Sequence, residues 1–174
     1  MGLRRRKTRL GGEQGSTLAE YAIVLTVFLS FIFGIMDFSR YLYTYHFVGD
    51  AAREATRYAS VRGSTFASQG ECSKTATPYQ CYALSSDVQT YVQNLAPGLI
   101  TSSSVTATTT WPGSVSGATG ACSTTANSTT GVDDNPGCLV QVVVSYPFHF
   151  MLPFLPRSAT TWTVSSTSST VIAE

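Results

Sequence analysis

An uncharged apolar segment near the N-terminus limits what this chain can fold into. The segment runs from Tyr21 to Met36, and further apolar and aromatic residues extend it at both ends. A helix needs about 20 mostly apolar residues to cross the hydrocarbon core of a bilayer. A secretory signal would need small residues for cleavage directly after the apolar segment, but Asp-Phe-Ser-Arg follows Met36. We therefore predict an uncleaved membrane helix rather than a secretory signal or the buried helix of a soluble core.

Charge is distributed unevenly along the 174 residues. Five basic residues precede the apolar segment: Arg4, Arg5, Arg6, Lys7 and Arg9. Basic residues that flank a membrane helix favour the cytoplasmic side, so we expect the N-terminus in the cytoplasm. Nucleic-acid binding is the alternative use of such a cluster. It is disfavoured because no second basic patch follows in the sequence.

The helical pattern continues beyond the apolar segment. Small apolar residues recur at helical spacing as a stripe: Val48, Ala51, Ala52, Ala55 and Ala59. The other faces carry two candidate i,i+3 ion pairs, Asp50–Arg53 and Glu54–Arg57. We predict one helix from Thr17 to about Val61, roughly 68 Å long at 1.5 Å per residue. Its alanine stripe can pack either on the chain's own C-terminal domain or on another protein, because small residues permit close approach.

The chain after Gly63 is rich in Ser, Thr, Gly and Pro and predicts a small domain. A short helix is expected after Ser85 or Ser86 as the N-cap, with Pro97-Gly98 as its stop signal. The stretches "SVTATTTW" and "CLVQVVVSY" alternate as strands do, and a long polar loop separates them. A third candidate strand begins at Trp162, but its alternation of apolar and polar residues is lost in the Ser/Thr-rich stretch that follows. The predicted class is α+β, a long N-terminal transmembrane helix followed by a small antiparallel sheet with a short helix.

Four cysteines follow the predicted membrane helix: Cys72, Cys81, Cys122 and Cys138. Four cysteines allow three disulfide connectivities. We predict the nearest-neighbour pairs Cys72–Cys81 and Cys122–Cys138, which would close short loops in a domain with little core. Zinc binding is disfavoured because no pair has CxxC spacing and no histidine lies near them in sequence.

Motifs for catalysis are scarce. His46 lies among tyrosines on the predicted helix, and His149 lies in the aromatic stretch "YPFHFMLPF", so both are expected to be structural or surface residues. The sequence contains no GxSxG elbow. The stretch "DDNPG" predicts a turn rather than a calcium loop. We therefore predict that the protein is not an enzyme and that it binds no cofactor.

The residues around Gly15 form a pattern of their own. A short basic leader ends at Gly15, and "STLAEY" follows, which puts Glu20 and Tyr21 at the start of the apolar segment. This arrangement resembles a type IV prepilin signal of the tight-adherence (Flp) class. The stretches "GIMDFSRYLYTY" and "AAREATRYA", and more loosely "VQVVVSYPFHFMLPFLP", are similar to TadE-like pseudopilins. Thr26 and Ala55 depart from that family's pattern, which often has proline and glycine there.

The resemblance implies a minor pseudopilin of the tight-adherence pilus assembly system. A prepilin peptidase would cut between Gly15 and Ser16, and Glu20 would neutralise the new N-terminal amine of a neighbouring subunit. Three parts are then expected: leader 1–15, membrane helix 16–62 and extracytoplasmic domain 63–174. Expected partners are the peptidase, other pilins and pseudopilins, pilus assembly platform proteins and the lipid of the inner membrane. The alternatives are an unprocessed, membrane-anchored binding module, and a Glu20 that lies at the interface without a partner.

Overall fold

The computed structural model describes residues 13–64, 66, 82–113, 134–151 and 161–173. Within these ranges the elements are α1 (Glu13–Ser60), α2 (Ser85–Leu95), a short 3-10 turn (Ser102–Ser104), β1 (Thr106–Gly113), β2 (Leu139–Phe148) and β3 (Trp162–Val171). A long N-terminal helix thus precedes a small antiparallel sheet and a short helix, which confirms the predicted α+β class. Cys72, Cys81 and Cys122 lie outside the described residues.

Helix α1 is one continuous element of 48 residues, about 72 Å long at 1.5 Å per residue. It begins four residues before the predicted Thr17 and ends one residue before the predicted Val61. Helix ends leave backbone carbonyls without intrahelical partners. The last residue of α1 is capped from far along the chain, because the backbone N–H of Ala173 donates to the Ser60 carbonyl at 2.9 Å.

Helix α2 packs on the edge strand β1. Its buried residues are Val88 and Val92. Gln89 lies between them, and its amide donates to the Val105 carbonyl at 2.8 Å while its side-chain oxygen accepts the Ala107 N–H. These bonds satisfy main-chain groups that an edge strand would otherwise leave open. The predicted N-cap was wrong: Leu84 is the N-cap, and Asp87 accepts its backbone N–H at 3.2 Å.

The sheet has the order β1-β2-β3, with β2 in the centre and both pairings antiparallel. Alternate residues of β2 are fully buried on the face towards the helices: Val140, Val142 and Val144. β3 continues as a regular strand through the Ser/Thr stretch, and each of its ten residues has a partner on β2. Main-chain pairing does not depend on apolar side chains, and Thr is favoured in strands. The core of the domain needs only Val164 and Ile172 from this segment.

The alanine stripe of α1 belongs to the core of the chain's own domain. Its members Val48, Ala51, Ala52, Ala55 and Ala59 are all buried in one cluster with the valines of β2. Of the two possibilities left open by the sequence, packing on the chain's own C-terminal domain is therefore the correct one. The predicted turn is also present, since Cys138 N–H donates to Asn135 O at 3.0 Å and Gly137 has a φ of 88°.

Candidate functional site

The N-terminal half of α1 projects away from the sheet domain. Between Gly15 and Met36 no residue is buried, although most of the side chains are apolar. The segment is long and apolar enough to cross a membrane, and none of its most apolar window is covered by the rest of the described chain. A soluble domain rarely leaves so large an apolar surface bare. The helix therefore fits a single-pass membrane anchor.

Three hydroxyl groups of α1 form hydrogen bonds within the helix itself. Thr26 Oγ1 donates to the Ala22 carbonyl at 2.7 Å, and Ser30 Oγ donates to the Thr26 carbonyl at 2.8 Å. Ser39 Oγ makes the same bond to Ile35 at 2.8 Å. Such i−4 bonds remove the cost of an unsatisfied hydroxyl in lipid. Thr26, where the family often has proline, lies in an unbroken helix.

The residues of the prepilin-like motif lie together on the first turns of α1. Gly15 is in the first turn, with open space around the position that a Cβ would take. Ser16 and Glu20 are four residues apart and share one face of the helix. Glu20 and Tyr21 are exposed, and in the described part of the chain Glu20 forms no hydrogen bond or ion pair. A carboxylate is therefore available at the start of the apolar surface.

Asp37 marks the point where α1 meets the sheet domain. Its side chain is only 6% exposed. One carboxylate oxygen accepts the backbone N–H of Met151 at 2.9 Å, and the other lies 3.2 Å from Arg40 Nη1. The Arg40 guanidinium in turn lies 5.7 Å from the ring centroid of Phe148. Sequence reasoning assigned no role to Asp37, and the i,i+3 spacing of Asp37 and Arg40 was the one signal that could have suggested it.

Aromatic rings join the helix to the sheet at the same level. Tyr41 contacts Phe148 edge-to-face at 5.5 Å between centroids and stacks on Phe150 at 6.4 Å. Phe150 also meets Trp162 edge-to-face at 6.1 Å. Geometries of this kind add about 0.5–1.5 kcal/mol per pair beyond the burial of area. The end of β2 and the start of β3 are thereby fixed against α1.

A second cluster fixes the far end of α1 to α2. The rings of Tyr58 and Tyr91 stack at 4.3 Å, and the Arg62 guanidinium lies 4.1 Å from the Tyr58 centroid. The Tyr91 hydroxyl donates to Glu54 Oε1 at 3.1 Å. Burial, followed by this hydrogen bond to Glu54, raises the pKa of Tyr91 above its ordinary value. The cluster is structural and presents no nucleophile.

The other predicted site residues are found as follows. Both predicted ion pairs form on the helix surface, Asp50–Arg53 at 3.4 Å and Glu54–Arg57 at 3.7 Å. Cys138 is buried and disulfide-bonded. Because the other three cysteines lie outside the described ranges, the connectivity stays a prediction. His46 and His149 are exposed, and within the described ranges no three His, Cys, Asp or Glu side chains could hold a metal ion together.

These features define a class of protein with one N-terminal helix that fits a membrane anchor and that continues into the core of a small α+β domain. Residues 15–57 match the family model described as TadE-like protein. The match runs from the predicted cleavage glycine to Arg57, within the alanine-rich segment, and it confirms the predicted resemblance of this part of the chain to TadE-like proteins. No curated protein and no solved structure gives a significant match to the chain. The family match supports a pseudopilin associated with the tight-adherence pilus.

Proposed function

We propose that this protein is a minor pseudopilin that is cleaved after Gly15 by a prepilin peptidase and takes part in assembling tight-adherence pili. One observation carries the proposal. The family match begins at Gly15, in the first turn of α1, and the bare part of this helix displays Glu20, a carboxylate without a partner among the described residues. A structural protein that assembles through this helix needs such a surface.

Cleavage is proposed on the cytoplasmic side of the inner membrane, where the basic leader is retained. Gly15 suits a protease cleft because it has no Cβ and no neighbouring atoms crowd it. It lies in the first helical turn, and terminal turns fray readily into the extended backbone that proteases bind. The cut removes all five basic residues of the leader and creates a new amine at Ser16.

Glu20 is proposed to serve assembly after this cut. A carboxylate inserted at a helix centre costs about 2.5–3.5 kcal/mol on insertion scales. An ion pair with the Ser16 amine of a neighbouring subunit would offset that cost, and it would form only when two helices lie side by side. The exposed apolar side chains around Glu20 would be covered by the same neighbours.

The cleavage step is tested by Gly15→Lys, co-expressed with the cognate prepilin peptidase. We expect wild type to begin at Ser16 in N-terminal sequencing, and the variant to accumulate as a larger, membrane-bound precursor. Gly12→Lys is the matched control, because it adds the same charge to the leader without changing the cleavage glycine. If wild type keeps Arg4 to Arg9, the protein is instead an unprocessed anchor for an extracytoplasmic binding module.

The assembly step is tested by Glu20→Ala and Glu20→Gln in a strain deleted for the native gene. Both variants should insert and be cleaved normally, since removing a charge does not make insertion costlier. We expect both to lose co-purification with other pilins and to reduce surface pilus counts. Glu13→Gln is the control, because that residue leaves with the leader. Normal pilus counts in both Glu20 variants would make Glu20 an ordinary interfacial residue.

A further inference from the structure

Three exposed apolar side chains lie near α1 at the level of its junction with the sheet domain. Leu99 is 81% exposed, Met151 is 71% exposed and Trp162 is 41% exposed. They come from three separate segments of the chain: the loop after α2, the end of β2 and the start of β3. Single exposed apolar residues are ordinary on a protein surface. We call these three residues the collar, because each lies beside the same part of α1.

The position of each collar residue along α1 follows from the neighbours that it shares with the helix. Leu99 borders a cavity of about 350 Å³ that Met36 and Tyr43 also line. The backbone N–H of Met151 donates to Asp37. Trp162 reaches the helix through Phe150, which stacks on Tyr41. The collar therefore lies beside residues 36 to 43 of α1, a rise of about 10 Å.

This level coincides with the outer edge of the candidate membrane segment. The uncharged run from Tyr21 to Met36 spans about 24 Å, whereas the hydrocarbon core is about 30 Å thick. With Glu20 at the inner boundary, the core reaches about the level of Asp37 to Arg40. At that depth a bare carboxylate would be costly, but Asp37 is buried by the domain and paired with Arg40. Trp and Arg side chains are suited to the interfacial layer just above.

We propose that the collar is immersed in the interfacial layer of the bilayer, so that the domain rests on the membrane rather than standing clear of it. The proposal builds on the membrane anchoring stated under the proposed function. Its partner is lipid, because the collar lies at the level of α1 where the uncharged run ends and where the hydrocarbon core of the bilayer also ends. Contact with lipid at three separate points would limit the height and the tilt of the domain. Withdrawal into a filament would then require the collar to leave the lipid.

The two tryptophans allow a direct measurement. Trp162 is paired with Phe148 at the membrane end of the sheet, whereas Trp111 follows Thr110, which is paired with Gln141. The two positions are about 23 Å apart along β2 at 3.3 Å per residue. We would reconstitute the full chain into phosphatidylcholine vesicles with brominated acyl chains, once as Trp111→Phe and once as Trp162→Phe. We expect bromine to reduce Trp162 emission by about twofold or more, as for an interfacial tryptophan, and to leave Trp111 emission nearly unchanged.

Charged substitutions in the collar provide the second arm. In the Trp111→Phe background, Leu99→Asp combined with Met151→Asp should lower the quenching of Trp162. Val61→Asp is the matched control, because Val61 is an exposed apolar residue just beyond the far end of α1. Equal quenching of Trp162 and Trp111 in protein that floats with the vesicles would overturn the collar proposal alone. Protein that does not float with the vesicles would overturn the membrane anchor as well.

Discussion

Single polar residues in the described core differ in how well they are satisfied. The Thr56 hydroxyl donates to the Ala52 carbonyl at 2.7 Å, although the residue is fully buried. Thr109 is 6% exposed on the helix side of β1, and its hydroxyl has no hydrogen-bond partner in the described part of the chain. Burying a hydroxyl without a partner costs about 1–3 kcal/mol in mutational data. The Thr109 hydroxyl therefore lowers the stability of the folded domain, on a sheet face that is otherwise rich in valine.

We predict that Thr109→Val raises the free energy of unfolding by about 1 kcal/mol, because valine has nearly the same shape and no hydroxyl to desolvate. Thermal unfolding of the full chain in detergent would measure the change. Thr108→Val is the matched control, since Thr108 is exposed on the opposite face of the same strand. A lower melting temperature for Thr109→Val than for wild type would show that the hydroxyl is stabilising.

At the scale of elements, α1 is one continuous helix whose two halves have different surfaces. Its N-terminal half is bare and apolar, while its C-terminal half buries a stripe of small residues against the sheet. Small side chains let the helix axis lie close to the valines of β2. Close packing of this kind leaves no room for larger side chains. The stripe sets the distance between helix and sheet, and with it the position of the collar beside α1.

We predict that Ala55→Leu destabilises the domain by about 1–3 kcal/mol, because the added atoms must displace packed neighbours. Arg53→Leu is the control on the same helix, since the Arg53 side chain is 77% exposed. The two variants would be compared by thermal unfolding and by limited proteolysis of the sheet domain. Equal melting temperatures for the two variants would mean that the helix–sheet contact is loose enough to take a leucine.

At the scale of the whole molecule, the described domain is built from distant parts of the chain. The segment that follows β3 bonds to the end of α1, because the backbone N–H of Ala173 donates to the Ser60 carbonyl. Asp37 and Met151, which are joined by a hydrogen bond, are 114 residues apart in sequence. Such contacts form only when long loops are closed, which costs conformational entropy. A disulfide that shortens a loop lowers the entropy of the unfolded chain and thereby stabilises the folded domain. Cys138 provides one such link next to β2.

We predict the pairs Cys72–Cys81 and Cys122–Cys138, to be read by peptide mapping under non-reducing conditions. Closing a loop of about 15 residues contributes roughly 3 kcal/mol in the chain-entropy account. Cys122→Ser and Cys138→Ser should therefore lower the melting temperature equally, and combining them should add little. Cys72→Ser serves as the comparison, because its effect should add to that of Cys138→Ser. A peptide that joins Cys138 to Cys72 or Cys81 would disprove this connectivity.

The sequence by itself determined the features that repeat locally. An uncharged run, an alanine stripe at helical spacing and alternating valines predicted α1 and β2, because burial on one face leaves a period in the sequence. The same local patterns carried the resemblance to TadE-like proteins, which the family match over residues 15–57 confirmed. The Ser/Thr segment of β3 has no such apolar period, so its full length as a strand could not be predicted.

Only the tertiary structure decided which surfaces meet. It showed that the sheet domain covers the alanine stripe. It also showed that the Asp37 carboxylate accepts a hydrogen bond from the Met151 backbone and forms an ion pair with Arg40. It also brought Leu99, Met151 and Trp162 to one level of the helix. These residues are far apart in sequence, and single positions carry no periodic signal of their partners. Their arrangement follows from strand order, register and the length of α1, which exist only once the chain has closed its loops.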